Sequence, residues 1–195
     1  MTRSYVTVVS GMPRSGTSCM MRMLEAGGLP SLTDRRRLAD SHNPHGYFEY
    51  ELVKQLPRDA SWIGNGRGKA VKIIYPLLQY LPTEIEYRVL FMERDLREVF
   101  ASQRAMLLSR GDPAADQDEN RLIPVLRTEL LGIKEWLAGQ SNMQHLYVPY
   151  AELTRESAGW SRKISHFLSG GLNEAAMASA VDPSLRHDWP LQSDF

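Results

Sequence analysis

The stretch Tyr5-Val6-Thr7-Val8-Val9-Ser10-Gly11-Met12-Pro13-Arg14-Ser15-Gly16-Thr17-Ser18 changes character twice. Its first five residues are apolar or β-branched, the composition of a buried strand. Two glycines five positions apart, Gly11 and Gly16, bound a polar turn. From Thr17 the chain turns helical, with Met20, Met23, Leu24 and Gly27 at helical spacing and Gly27-Gly28 as the stop. A strand, a glycine-bounded loop and a helix in that order make an anion cradle. The loop can turn its backbone N–H groups inward, and the helix N-terminus adds a partial positive charge. Gly11, Pro13, Arg14, Ser15, Gly16, Thr17 and Ser18 are therefore the candidate phosphate-binding residues.

The spacing of the glycines matches the Walker A loop, but Thr17 stands where that motif has its lysine. That lysine reaches the outer phosphates of a nucleoside triphosphate, so its absence argues against ATP or GTP hydrolysis. The cation here is Arg14, inside the loop, whose planar forked donors suit an oxyanion.

Strands and helices alternate further along. The pattern predicts strands at Ala70–Ile74, Tyr87–Met92 and His145–Val148. It predicts helices behind Asp95, over Arg121–Leu137, Ala158–Leu168 and Asn173–Val181, and a short one within Gly46–Leu56. Asp95 has the character of an N-cap, with Glu98 three residues on. Ser31–His45 and Asp112–Asn120 are expected as loops. The expected fold class is α/β: a three-layer sandwich with a mainly parallel central sheet, like the P-loop NTPases, in one domain spanning 1–195.

Composition fits that expectation. Hydrophobic residues make up 43% and charged residues 24%, ordinary for a globular domain. Lysine plus arginine equals aspartate plus glutamate at 23 each, which argues against a general nucleic-acid binder. A single cysteine, Cys19, excludes an internal disulfide and fits a reducing compartment. No run approaches the roughly 20 apolar residues of a membrane span. A cytoplasmic location is expected.

The loop resembles the 5'-phosphosulfate-binding loop of the sulfotransferase family, whose donor is 3'-phosphoadenosine 5'-phosphosulfate (PAPS). The wording Pro13-Arg14-Ser15-Gly16-Thr17-Ser18 is especially similar to tyrosylprotein sulfotransferases and to bacterial sulfotransferase-family proteins. Cytosolic members usually carry Lys where this chain has Arg14. The resemblance implies a second site, for the 3'-phosphate, made of a strand-end Arg and a Ser eight residues later. Arg94 and Ser102 fill those positions, and Ser102 lies off the helix's apolar stripe of Leu96, Val99, Phe100, Gln103, Met106 and Leu107. Tyr150, in Val148-Pro149-Tyr150-Ala151-Glu152-Leu153, is similar to a tyrosine near the adenine in relatives. Arg186 resembles a tail residue that could help hold the 3'-phosphate.

The resemblance also frames the chemistry. Lys72, in Val71-Lys72-Ile73-Ile74-Tyr75-Pro76, is the second candidate cation after Arg14. Cytosolic members read Lys-x-His-x-Pro there, and their histidine base falls on Ile74, which takes no proton. Some relatives use a glutamate instead. Glu49 is the first candidate base and His45 the second, both in Asn43–Glu51. The implied activity is transfer of a sulfuryl group from PAPS to a hydroxyl or amine of a small-molecule or peptide acceptor, releasing PAP and needing no metal. Two other readings stay open: a small P-loop-type kinase or NTPase, for which Glu93 is the strand-end carboxylate, and a PAP(S)-binding relative without transferase activity. Sequence leaves the acceptor and the oligomeric state unread.

Overall fold

A computed structural model describes residues 3–37, 39–40, 43 and 46–182. Four strands form one sheet: β1 (Val6–Gly11), β2 (Ala70–Lys72), β3 (Tyr87–Glu93) and β4 (Met143–Pro149). Their order is β2-β1-β3-β4 and every pairing is parallel. β1 and β3 are central, and β1 is buried along its whole length. Such strands need apolar, β-branched residues on both faces, which Val6, Val8 and Val9 supply.

The helices are α1 (Thr17–Ala26), α2 (Leu96–Ser109), α3 (Glu119–Ala138), α4 (Tyr150–Arg155), α5 (Ser157–Phe167) and α6 (Glu174–Ser179). Alternation along β3 divides the interior in two. Leu90 and Met92 join Met20, Leu24, Trp160 and Ile164 on one face, under α1 and α5. Val89 and Phe91 join Val71, Ile63, Leu78 and Leu137 on the other, under α3 and three short 3₁₀ turns, Glu51–Gln55, Ser61–Gly66 and Tyr75–Tyr80. The three-layer sandwich expected from the sequence is the observed architecture, with an all-parallel sheet.

Several boundaries differ from the expected ones. β2 ends at Lys72, so Ile74 lies beyond the strand and is 39% exposed. β4 starts two residues early because Met143 pairs with Tyr87 at the foot of β3. α4 was not expected. It has 6 residues, under two turns, too few to show a hydrophobic period. The Gly46–Leu56 segment forms only the Glu51–Gln55 turn. Asp95 does cap α2, accepting from the N–H groups of Arg97 at 2.8 Å and Glu98 at 3.4 Å. The Glu98 carboxylate, however, turns to Arg94 rather than back to the cap. α2 buries only Val99 and Ser102 fully, so the serine placed off the apolar stripe lies inside. No helix among the described residues is long and apolar enough to cross a membrane.

Candidate functional site

The loop between β1 and α1 is built from strained backbone. Gly11 has φ +137°, and a Cβ there would sit 2.6 Å from the Met92 carbonyl oxygen. Gly16 has φ +101° and backs onto the Tyr150 ring, where an added Cβ would lie 2.4 Å from Cδ2. Arg14 itself holds φ 70°, a left-handed conformation uncommon for a side-chain-bearing residue and a mark of functional loops. Ser15 closes the turn: its hydroxyl donates to the Met12 carbonyl at 2.7 Å and its N–H to the same oxygen at 3.2 Å. No side chain caps the first turn of α1, so its leading N–H groups keep the polarity that attracts an anion. Ser18 accepts a hydrogen bond from Asn43 Nδ2 at 3.1 Å.

The second motif folds onto this loop. Arg14 Nε donates to Ser102 Oγ at 3.0 Å, and Arg94 Nη1 donates to the Arg14 carbonyl at 3.1 Å. Arg94 Nε donates to Glu98 Oε2 at 2.9 Å, and the guanidinium carbon stands 4.9 Å from the centre of the Tyr150 ring. The Arg94 side chain is only 6% exposed. Its remaining nitrogen, Nη2, is buried without a hydrogen-bond partner. A buried, charged donor left unpaired is costly in a folded protein, and a guanidinium nitrogen so placed is able to donate to an oxyanion.

A third group lies on the described residues of 31–37, 39–40, 43 and 46–50, here called the strap. It is tied to β2 through Leu32 N–H donating to the Ala70 carbonyl at 2.7 Å. Lys72, the last residue of β2, donates to the Tyr47 carbonyl. Tyr47 is buried, lies 3.4 Å beneath the Arg37 guanidinium, and donates its O–H to Asp40 at 2.7 Å. Asp40 also accepts from Arg110, just past α2, at 3.1 Å. Glu49 is 34% exposed and ion-paired with Arg37 at 2.7 Å. The strap thus contacts α1 through Asn43 and Ser18, and the residue after α2 through Asp40 and Arg110.

These charges act on one another. Burial pulls the Arg14 guanidinium below its ordinary range; Tyr47 opposes that, Arg94 adds to it, Asp40 opposes it and Arg37 adds to it. Burial also lowers Lys72 to about 8, with Glu49 opposing and Arg37 adding. Arg37 is the strap residue whose charge acts on both Arg14 and Lys72. Arg14 and Arg94 are joined through the Arg14 carbonyl, and Arg37 and Lys72 both reach Tyr47.

Sequence reasoning singled out Gly11, Arg14, Ser15, Gly16, Lys72, Glu49, Arg94, Ser102 and Tyr150, and the fold gathers them at the C-terminal edge of β1, β2 and β3. Tyr150 lies under Arg94 and against Gly16, at the start of α4. His45 and Arg186 lie outside the described residues. Arg37, Asp40 and Tyr47 were missed as site residues. The run Arg35-Arg36-Arg37 was the one local signal, and nothing local marked Asp40 or Tyr47. Glu93, the carboxylate a metal-dependent kinase would need, pairs with Lys134 of α3.

The fold is a parallel α/β sandwich like that of solved sulfotransferases, two of which are similar in structure to this chain. One is a mouse sulfotransferase, SULT7A1, crystallised with PAP, at TM-score 0.52 and 15% identity over 91% of this chain. This chain spans 63% of that one. Another is the sulfotransferase domain of the curacin biosynthetic pathway, at TM-score 0.53 and 13% identity, covering 99% of this chain and 95% of that domain. At these identities the likeness concerns the fold. No protein-family model and no curated protein matches the chain.

Proposed function

We propose that this protein is a PAPS-dependent sulfotransferase acting in the cytoplasm on a hydroxyl or amine of a small-molecule or peptide acceptor. The observation that carries the reading is the junction of two anion sites. Arg94 and Ser102 are hydrogen-bonded to the backbone and side chain of Arg14, while Arg94 Nη2 stays unpaired. A loop for a 5'-phosphosulfate beside a separate guanidinium for a 3'-phosphate matches the two ends of PAPS. A nucleoside triphosphate has no use for the second site, and the loop lacks the lysine that triphosphates need.

The residues fit the donor's chemistry. Loop amides and Arg14 would hold the 5'-phosphosulfate, and Lys72 would neutralise charge that builds on the transferring oxygens. The acceptor oxygen or nitrogen attacks sulfur, the bond from sulfur to the bridging oxygen breaks, and that electron pair leaves with PAP. The acceptor's proton passes to Glu49 Oε. Positioning and fixed charge supply most of such a transfer. Thermal melting with PAP, AMP and ATP tests the reading. PAP without Mg²⁺ should stabilise the chain most, by about 2.7 kcal/mol at a hundredfold excess over Kd. Equal shifts from AMP and PAP would remove the 3'-phosphate site from the argument.

A second reading draws on the Arg37–Glu49 ion pair. The Glu49 carboxylate is already engaged by Arg37 at 2.7 Å, and Ile74 takes no proton. On that reading the protein holds PAP or PAPS without transferring. Sulfate transfer from labelled PAPS across an acceptor panel separates the two.

A further inference from the structure

We propose that Tyr150 is a positioning residue that sets the distance between the two anion sites and so selects a 3',5'-bisphosphorylated nucleotide over a 5'-monophosphate. The inference rests on the donor reading above.

The guanidinium of Arg94 is fixed on three sides. Glu98 takes Nε at 2.9 Å, the Arg14 carbonyl takes Nη1 at 3.1 Å, and the Tyr150 ring lies 4.9 Å from its central carbon. These three contacts determine where the vacant Nη2 points. The two hydrogen bonds lie in the guanidinium plane and leave it free to tilt about their line. The third contact is the Tyr150 ring, whose face lies beneath the guanidinium carbon, and an arginine over an aromatic face is held there by the ring quadrupole.

The same ring touches the other site. Gly16, the second glycine of the loop, has its Cα hydrogen side against Tyr150, with no room for a Cβ. One rigid side chain therefore backs the 5' loop and braces the 3' arginine. Tyr150 is buried, and burial pushes its hydroxyl up to about 12, which keeps the ring neutral and electron-rich across the working pH range. A tyrosine that only stacked on a base would need neither contact. Pro149 and the short α4 place it: β4 ends in register with Glu93, next to Arg94, so the first residue of α4 lands beneath the arginine.

The test alters the ring's electronics while keeping its shape. Tyr150 is replaced by Phe and then by mono-, di- and trifluorophenylalanine, and the Kd of PAP and of AMP is measured by calorimetry for each. Phe should keep both affinities. Along the fluorinated series the PAP affinity should fall at least about threefold, the scale of an exposed cation–π contact, while AMP affinity holds. In an Arg94→Ala background the same series should be flat. A PAP-to-AMP ratio that stays constant across the series overturns the proposal. So does a ratio that already drops with Phe, which would assign the effect to the hydroxyl. Parallel loss of PAP and AMP would make Tyr150 a support for the loop alone and also overturns it. An unsubstituted protein that binds PAP no more tightly than AMP fails at the donor reading, before any substitution is made.

Discussion

Arg14 and Ser102 are 88 residues apart in sequence and joined by a hydrogen bond of 3.0 Å from Nε to Oγ. The bond runs from the middle of the loop after β1 to the interior of α2, so the cation of one proposed anion site is oriented by a residue of the other. A ligand reaching both sites meets parts that are already connected.

Arg94→Ala should weaken PAP binding by about 1.5–3 kcal/mol, the usual loss for a hydrogen bond to a charged group. Ser102→Ala should cost about 0.5–1.5 kcal/mol, because it removes one neutral partner and loosens Arg14. Calorimetry against PAP checks both. Unchanged affinity in Arg94→Ala would place the 3'-phosphate elsewhere.

Glu49→Gln keeps the side chain's shape and removes its charge. It should bind PAP as the parent does and lose at least about a hundredfold in turnover, the low end of what a positioned base contributes. The readout is sulfate transferred from labelled PAPS. Near-normal turnover would make Glu49 a partner for Arg37 and nothing more.

The Lys72 ammonium gives a pH signature with a defined sign. Its ordinary value is 10.5 and burial lowers it to about 8 in the folded chain. Between those values the unfolded chain binds the extra proton, so stability rises with pH there. Below about 8 the full cost of the buried charge is present. Lys72→Met should therefore be more stable than the parent at pH 7, by about 1–3 kcal/mol, with the gap closing as pH rises toward 10. Comparing the two proteins in urea melts cancels Cys19, whose thiol burial pushes up to about 11 and which acts in the opposite direction above pH 9. A gap constant with pH would show that Lys72 is solvated.

Gly16→Ala puts a methyl into the Tyr150 ring and a side chain at φ +101°. The expected cost is about 1–3 kcal/mol in thermal stability, with loss of PAP binding beyond that. Full retention of binding would mean that the loop can move away from α4.

The loop was legible in the sequence because its requirements are local. Gly11 and Gly16 are needed for their backbone angles, and the apolar runs on either side announce a strand and a helix. Arg94 and Ser102 were legible through their spacing and the resemblance it carried. The strap was not. Asp40 meets Arg110 across 70 residues, and Lys72 meets the backbone of Tyr47, so no short-range pattern records either contact. Tyr150 was noticed for a base contact. Its contacts with Arg94 and Gly16 depend on β4 lying beside β3, a register that a lone strand does not encode.

The order β2-β1-β3-β4 has a consequence for how such a protein can change. After β1 the chain passes to α1 on one face, and the connection after β3 leads through α2 to α3 on the other. Two adjacent parallel strands whose continuations diverge leave a crevice between their ends. That crevice is inherited from the topology, and Arg14 and Arg94 stand on its two banks. The described strap residues reach this crevice from outside the sheet, through Lys72 and Tyr47 and through Ser18 and Asn43. Loops outside the sheet can lengthen, shorten or exchange residues while the crevice persists, so on the proposed reading an acceptor pocket can change without rebuilding the donor's place.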